Sequence, residues 1–254
     1  MFRTLMLALA LGASGTTAVA LASQQISNAQ SAVSVNFETG ADHVFTPTER
    51  AVITETLYAA YQITKADFPR LPEAVTIEVH PIHRPSVDAL GGVTGRAQRP
   101  GGLVLELSVT YPGGLEAAAR DGLMRTGLHE MHHLARGWTI ENNAYGPGIA
   151  IAAANEGLAE IYAEQYEGRE TAYAPLDTET FKTWSEEIRA LPRNADYGAW
   201  MFAHPDGREA VGYRTGAELV RQAMTRSGLG IVELSAYTPD EIWRMAGFDG
   251  LSAN

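Results

Sequence analysis

The chain has 254 residues, a formal net charge of −11 and no cysteine. It is long enough to bury a sizeable core. The missing cysteines exclude disulfides, thiolate metal sites and a lipid-modified N-terminal cysteine, and the acidic balance without a basic run argues against nucleic acid as a partner.

Met1-Phe2-Arg3 is a short basic start, residues 4–21 are apolar and small, and Ala20-Leu21-Ala22 reads as a cleavage site before Ser23. The stretch is long enough to span a bilayer, but Gly12, Ser14, Gly15, Thr16 and Thr17 dilute it. Residues 1–22 are therefore expected to be a cleaved signal peptide, and residues 23–254 a single secreted or periplasmic domain. No later segment is apolar enough to cross a membrane, so no stable membrane insertion is expected after cleavage.

Residues 23–42 are polar and read as a loose lead-in. Thr46-Pro47-Thr48-Glu49 is a capping box with proline at the first helical position. Ile53, Leu57, Ala60 and Tyr61 follow at helical spacing to about Asp67, and Pro69 and Pro72 end the helix. Val75, Ile77 and Val79 alternate with polar residues, which predicts a half-buried strand. Gly91-Gly92, Gly95 and Pro100-Gly101-Gly102 mark turns around a loop. Leu103, Leu105, Leu107 and Val109 predict a second strand, closed by Tyr111-Pro112-Gly113-Gly114.

A helix is expected from about Leu115 to the C-cap Gly137, weakened at Gly122 and Gly127 unless close packing requires them. It carries His129-Glu130-Met131-His132-His133. Helical residues four apart share a face, so His129 and His133 are able to hold one zinc ion, with Glu130 beside them as a general base. His132 falls outside that register and reads as a supporting residue. Pro147-Gly148 opens an alanine-rich helix carrying Asn155-Glu156-Gly157-Leu158-Ala159-Glu160 and ending near Gly168. A catalytic zinc takes three protein ligands and keeps one open position. Glu156 is able to supply the third, with Glu160, one turn on, orienting a ligand histidine. Spacing alone lets these two carboxylates exchange roles. Gly157 permits close backbone approach, suited to a crowded site. Asp177 caps a further helix with Phe181, Trp184, Ile188 and Leu191 on one face. Residues 213–224 are helical, and Thr238-Pro239-Asp240-Glu241 opens a short last helix. Strands early and helices late give an α+β pattern.

His129-Glu130-x-x-His133 followed by Asn155-Glu156-x-x-x-Glu160 resembles the gluzincin metallopeptidases. With Gly212-Tyr213-Arg214-Thr215-Gly216, it resembles more narrowly a bacterial domain-of-unknown-function family described as predicted zinc-dependent proteases. The resemblance implies a zincin-like fold: a small N-terminal sheet, an active-site helix and a mainly helical C-terminal half. It implies Zn2+ as cofactor, His129, His133 and Glu156 as ligands, and a peptide or protein substrate. It also implies an oxyanion donor from the lower half, for which Tyr213 is the choice and His204 and Tyr197 are alternatives. In such folds the strand before the active-site helix, here Leu103 to Val109, is either a cleft-lining edge or a plain core strand. The expected activity is peptide-bond hydrolysis by a zinc-bound water with Glu130 as general base. A zinc-containing module that binds peptides without cutting them is the alternative, against which the intact Glu130 counts.

Overall fold

A single mixed sheet has the strand order β1-β2-β4-β3. Its strands are β1 (Val33–Phe37), β2 (Val75–Ile82), β3 (Val93–Arg99) and β4 (Gly102–Ser108). The computed structural model describes residues 32–39, 43–168 and 174–251, and the signal peptide expected at residues 1–22 lies outside them. β1, β2 and β4 run parallel, and β3 returns antiparallel to β4. The alternation in β2 holds, with Val75, Ile77 and Val79 buried and the residues between them half-buried.

Two strands depart from the sequence reading. β1 lies within the supposed lead-in. Its Val33, Val35 and Phe37 do alternate with Ser34 and Asn36, but five residues make a weak signal until β2 pairs with them. β3 occupies the supposed loop. Gly91, Gly92 and Gly101 do turn the chain with positive φ, yet the residues between them pair with β4. Gly95 is there for space, since a Cβ would come 2.6 Å from Leu105 Cδ2 and 2.8 Å from Glu130 Cγ. A short 3₁₀ turn, Pro85–Leu90, precedes β3. β4 lies between β2 and β3 and is therefore a core strand, so β3 forms the sheet edge.

The helices follow the expected punctuation with one correction. α1 (Pro47–Asp67) starts at the Thr46–Glu49 capping box. The single helix expected from Leu115 is two, α2 (Gly114–Asp121) and α3 (Leu123–Arg136). They break at Gly122, where a Cβ would sit 2.5 Å from the Gly91 carbonyl oxygen, so contact with the turn before β3 interrupts the helix. Then come α4 (Ile149–Glu167), α5 (Thr178–Ala190), α6 (Tyr197–Met201), α7 (Val211–Ser227), α8 (Ile231–Leu234) and α9 (Pro239–Met245). The fold is α+β, with the sheet near the N-terminus and a mainly helical C-terminal half.

α3 lies inside this arrangement, and residues 128–134 are all buried. Gly127 lets α1 approach, since a Cβ there would meet Ala60 Cβ at 3.2 Å. Arg136 ties the end of α3 to the lower half. It donates to Asn155 Oδ1 at 3.0 Å, to the Tyr237 carbonyl at 3.0 Å and to the Ser235 carbonyl.

α4 and α7 meet backbone to backbone. A Cβ on Gly157 would stand 2.1 Å from the Gly216 carbonyl oxygen, and one on Gly216 would stand 2.0 Å from that of Ala153. Gly157 therefore serves the helix contact rather than a crowded metal site, and Gly216 is its counterpart. Gly212 makes similar room for Met201 Sδ. Gly157→Ala should lower stability. Helix propensity favours alanine by only about 1 kcal/mol, whereas forced separation of packed elements costs about 1–3 kcal/mol or more. A calorimetric scan is expected to show a lower Tm with secondary structure retained. An unchanged or higher Tm would mean that the two backbones are free to part.

Candidate metal centre

α3 presents His129 and His133 on one face, and α4 crosses it with Glu156. The donor atoms converge: His129 Nε2 is 2.9 Å from His133 Nε2, and each is 3.1 Å from Glu156 Oε2. All three residues are buried. Ligands of a tetrahedral zinc, about 2.0–2.1 Å from the ion, stand about 3.3 Å from one another. The triangle is thus close to the size that zinc requires, and a small displacement completes it.

The tautomer of His129 agrees with this fit. Glu160 Oε1 lies 3.3 Å from His129 Nδ1, so the ring proton belongs on Nδ1 and the Nε2 lone pair points into the triangle. Two imidazole lone pairs and a carboxylate oxygen at such distances repel one another unless a cation or protons sit among them. The cluster is able to hold a metal ion, and its histidine–carboxylate donor set suits zinc.

Glu160 is anchored in turn by Arg125, whose Nη2 donates to Oε2 at 2.6 Å. Arg125 stands one helical turn before His129, so α3 supplies both His129 and the cation that steadies its carboxylate partner. The spacing of four is visible in the sequence, which does not show what the arginine faces. The outer oxygen of Glu156 is also held. Trp138 Nε1 donates to Oε1 at 3.2 Å, and the Tyr197 hydroxyl donates to it at 3.3 Å. This leaves Oε2 to face the histidines. The only sequence cue for Trp138 is its place directly after the Gly137 cap.

The carboxylates differ in charge state. Burial opposes ionisation of Glu156, but His133 and His129 outweigh it and hold the group well below the usual carboxylate range. Glu160 is lowered to about 2: burial works against the shift, and His129 and Arg125 win. Glu130 goes the other way. Burial pushes it up, against the pull of His129 and His133. Its Oε2 is buried without a partner among the described residues. His129 is raised well above the ordinary histidine value, burial notwithstanding, by Glu156 and Glu160. Carboxylates that attract a proton to His129 equally attract a cation.

His132 points away from the cluster. Its Nε2 lies 2.9 Å from Ser235 Oγ, and Ser235 donates to the Ile231 carbonyl, so His132 is the donor to Ser235. Its ring packs on Phe68 and Tyr162, and burial pushes its pKa well below the usual value. It is a neutral packing residue.

Of the three residues considered as oxyanion donors, the structure brings two to the site. Tyr213 and Tyr197 line a cavity of about 930 Å³ together with Glu130, His133, Glu156 and β3. Burial raises the Tyr213 phenol well above its usual pKa, and Glu156, Tyr197 and Glu130 add to the shift, so it stays protonated. His204 pairs instead with Asp206 at 2.8 Å and packs at a tilt against Trp200.

A family model described as predicted Zn-dependent protease (DUF2268) matches residues 55–244, which include every residue of this centre. No curated protein and no solved structure matches the chain.

A competitive zinc titration should rank the variants of this centre. Glu156→Ala should collapse affinity. Glu160→Ala should lower it by about 10–100-fold, the usual cost of losing a residue that orients a ligand, and Glu160→Gln should lower it less because its carbonyl still accepts the His129 proton. Trp138→Phe, which keeps the ring and loses the N–H, belongs with Glu160→Ala. If Glu160→Ala loses the metal while Glu156→Ala keeps it, the third ligand is Glu160.

Proposed function

The chain belongs to the family of predicted Zn-dependent proteases, and from that premise we propose that it is a zinc peptidase, secreted or periplasmic, with Glu130 as its general base. The observation that carries the reading is the adjacency of two opposite settings. A buried His129–His133–Glu156 triangle is shaped for a cation, and beside it stands a carboxylate whose pKa burial raises.

A zinc ion held by His129, His133 and Glu156 supplies a Lewis acid for the scissile carbonyl and acidifies water near neutral pH. The remaining work falls to the chain. Glu130, through its unpartnered Oε2, accepts a proton from the attacking water and passes it to the leaving amine. The water oxygen becomes part of the new carboxylate and the C–N bond breaks, so atoms balance. The position of Glu130 beside the His129–His133–Glu156 triangle puts one carboxylate in place both to accept the proton and to return it. Tyr213 donates to the developing oxyanion, an interaction of about 3 kcal/mol. Tyr197 is less free for this, because its hydroxyl is engaged by Glu156.

The cleft floor suits an extended peptide. β3 is the sheet edge, and it passes against Glu130 at Gly95. A substrate strand adds to such an edge through main-chain hydrogen bonds.

Among the described residues, no helix is long and apolar enough to cross a membrane. The signal-peptide reading supports export, and N-terminal sequencing of the exported protein should begin at Ser23. A mature protein beginning at Met1 would remove the support for export.

Glu130→Gln should keep zinc and lose about 10²–10⁴-fold in turnover, since the amide retains the shape but cannot accept the proton. The checks are metal content and the cleavage rate of a quenched peptide library. A variant cleaving at the parent rate would sink the mechanism. A zinc-loaded parent that binds peptides and cuts none would make the chain a binding module.

A further inference from the structure

The edge strand beside Glu130 is partly exposed at Gly95 and stopped beyond Ala97. The Ser108 N–H donates to the Gly92 carbonyl at 2.8 Å, so that antiparallel pair is hydrogen-bonded. The alternation then turns the main-chain groups of Thr94 and Arg96 towards β4, and those of Val93, Gly95 and Ala97 outward.

The Ala97 carbonyl is not left for a substrate, since it accepts the Ile140 N–H at 2.9 Å. Beyond it the register shifts, and the Gln98 carbonyl accepts the Glu141 N–H at 2.9 Å. The side chains repeat the contact, with Gln98 Nε2 donating to Glu141 Oε1 at 3.0 Å. Residues 140–141 therefore lie along the outer edge like a short added strand.

The loop that delivers them is internally braced. Asn143 receives the Tyr145 N–H at 2.8 Å and donates to the Gly146 carbonyl at 3.1 Å. The Ala144 N–H returns to the Gly137 carbonyl at 3.0 Å.

The stop stands two residues from Gly95, where Glu130 packs on β3. Val93 is buried, so a peptide is left Gly95 to pair with, on one side of the bond to be cut. On the other side the cavity is walled by Trp138, Ile140, Asn143 and Ile149, and a long chain finds no edge to follow there. Resting on the peptidase reading, we propose that the 139–146 loop makes the enzyme exo-acting: it releases short fragments from one end of a peptide rather than cutting long chains internally.

The test uses the zinc-loaded mature protein and a short cleaved peptide in four forms: unextended, and extended by about ten residues, roughly 33 Å of extended chain, at the N-terminus, at the C-terminus or at both. Mass spectrometry reads the products. One extension should be tolerated. The other, and both together, should lower kcat/KM by about tenfold or more, and short fragments should leave from one end. Equal cleavage of all four forms, at an internal bond, would overturn the inference while leaving the peptidase reading intact. Absence of cleavage in every form would overturn both. A second measurement opens the stop. Glu141→Pro removes the N–H that bonds Gln98, and it should restore cleavage of the doubly extended peptide towards the rate of the short one. A variant that folds, cuts the short peptide and still rejects the long one would show that the 140–141 edge contact is not the barrier.

Discussion

Three electron-rich atoms, His129 Nε2, His133 Nε2 and Glu156 Oε2, are held within 3.1 Å of one another in a buried place. By themselves they repel, and burial makes the carboxylate charge more costly. Such an arrangement is stable only if a cation or protons offset it and if the elements carrying the atoms cannot move apart. Much of the structure around the centre serves that second condition.

The restraint is distributed among contacts that look unrelated in sequence. Arg136 joins α3 to Asn155 on α4 and to the carbonyls of Ser235 and Tyr237. His132, one residue before His133, bonds Ser235 and packs on Phe68 and Tyr162. The Gly157–Gly216 contact presses α4 onto α7, and α7 carries Tyr213. Trp138 and Tyr197 fix the rotation of the Glu156 carboxylate from outside. Helices made rigid in this way allow donor positions to be held closely enough for a metal to choose its geometry.

Three carboxylates within one small volume are given two different jobs by their surroundings. Glu156 and Glu160 each face histidine, and Glu160 also faces Arg125, so both stay ionised. Glu130 keeps one oxygen unpartnered, and burial dominates its ionisation. Separation of pKa values among neighbouring carboxyls is how a site divides acid–base chemistry from charge compensation. The strand that packs against Glu130 at Gly95 is also an edge strand of the sheet.

The sequence by itself determined the parts whose physics is local. Helical spacing was enough to put His129 and His133 on one face, with Glu156 and Glu160 a turn apart on a later helix. Capping boxes marked the starts of α1 and α9, and glycine marked the end of α3, because caps depend on the few residues that form them. What depends on a distant partner was settled only by the tertiary structure. β1 and β3 carry too little pattern to declare themselves, and they are strands because β2 and β4 pair with them. Gly122 breaks the expected long helix because the Gly91 carbonyl presses against it. Gly157 faces Gly216 rather than the metal ligands, since only the packing of α4 on α7 decides which backbone comes near. Trp138, Tyr197 and Arg125 join the centre through contacts across helices and loops. The edge position passed to β3 because strand order follows from pairing, which neither composition nor periodicity encodes.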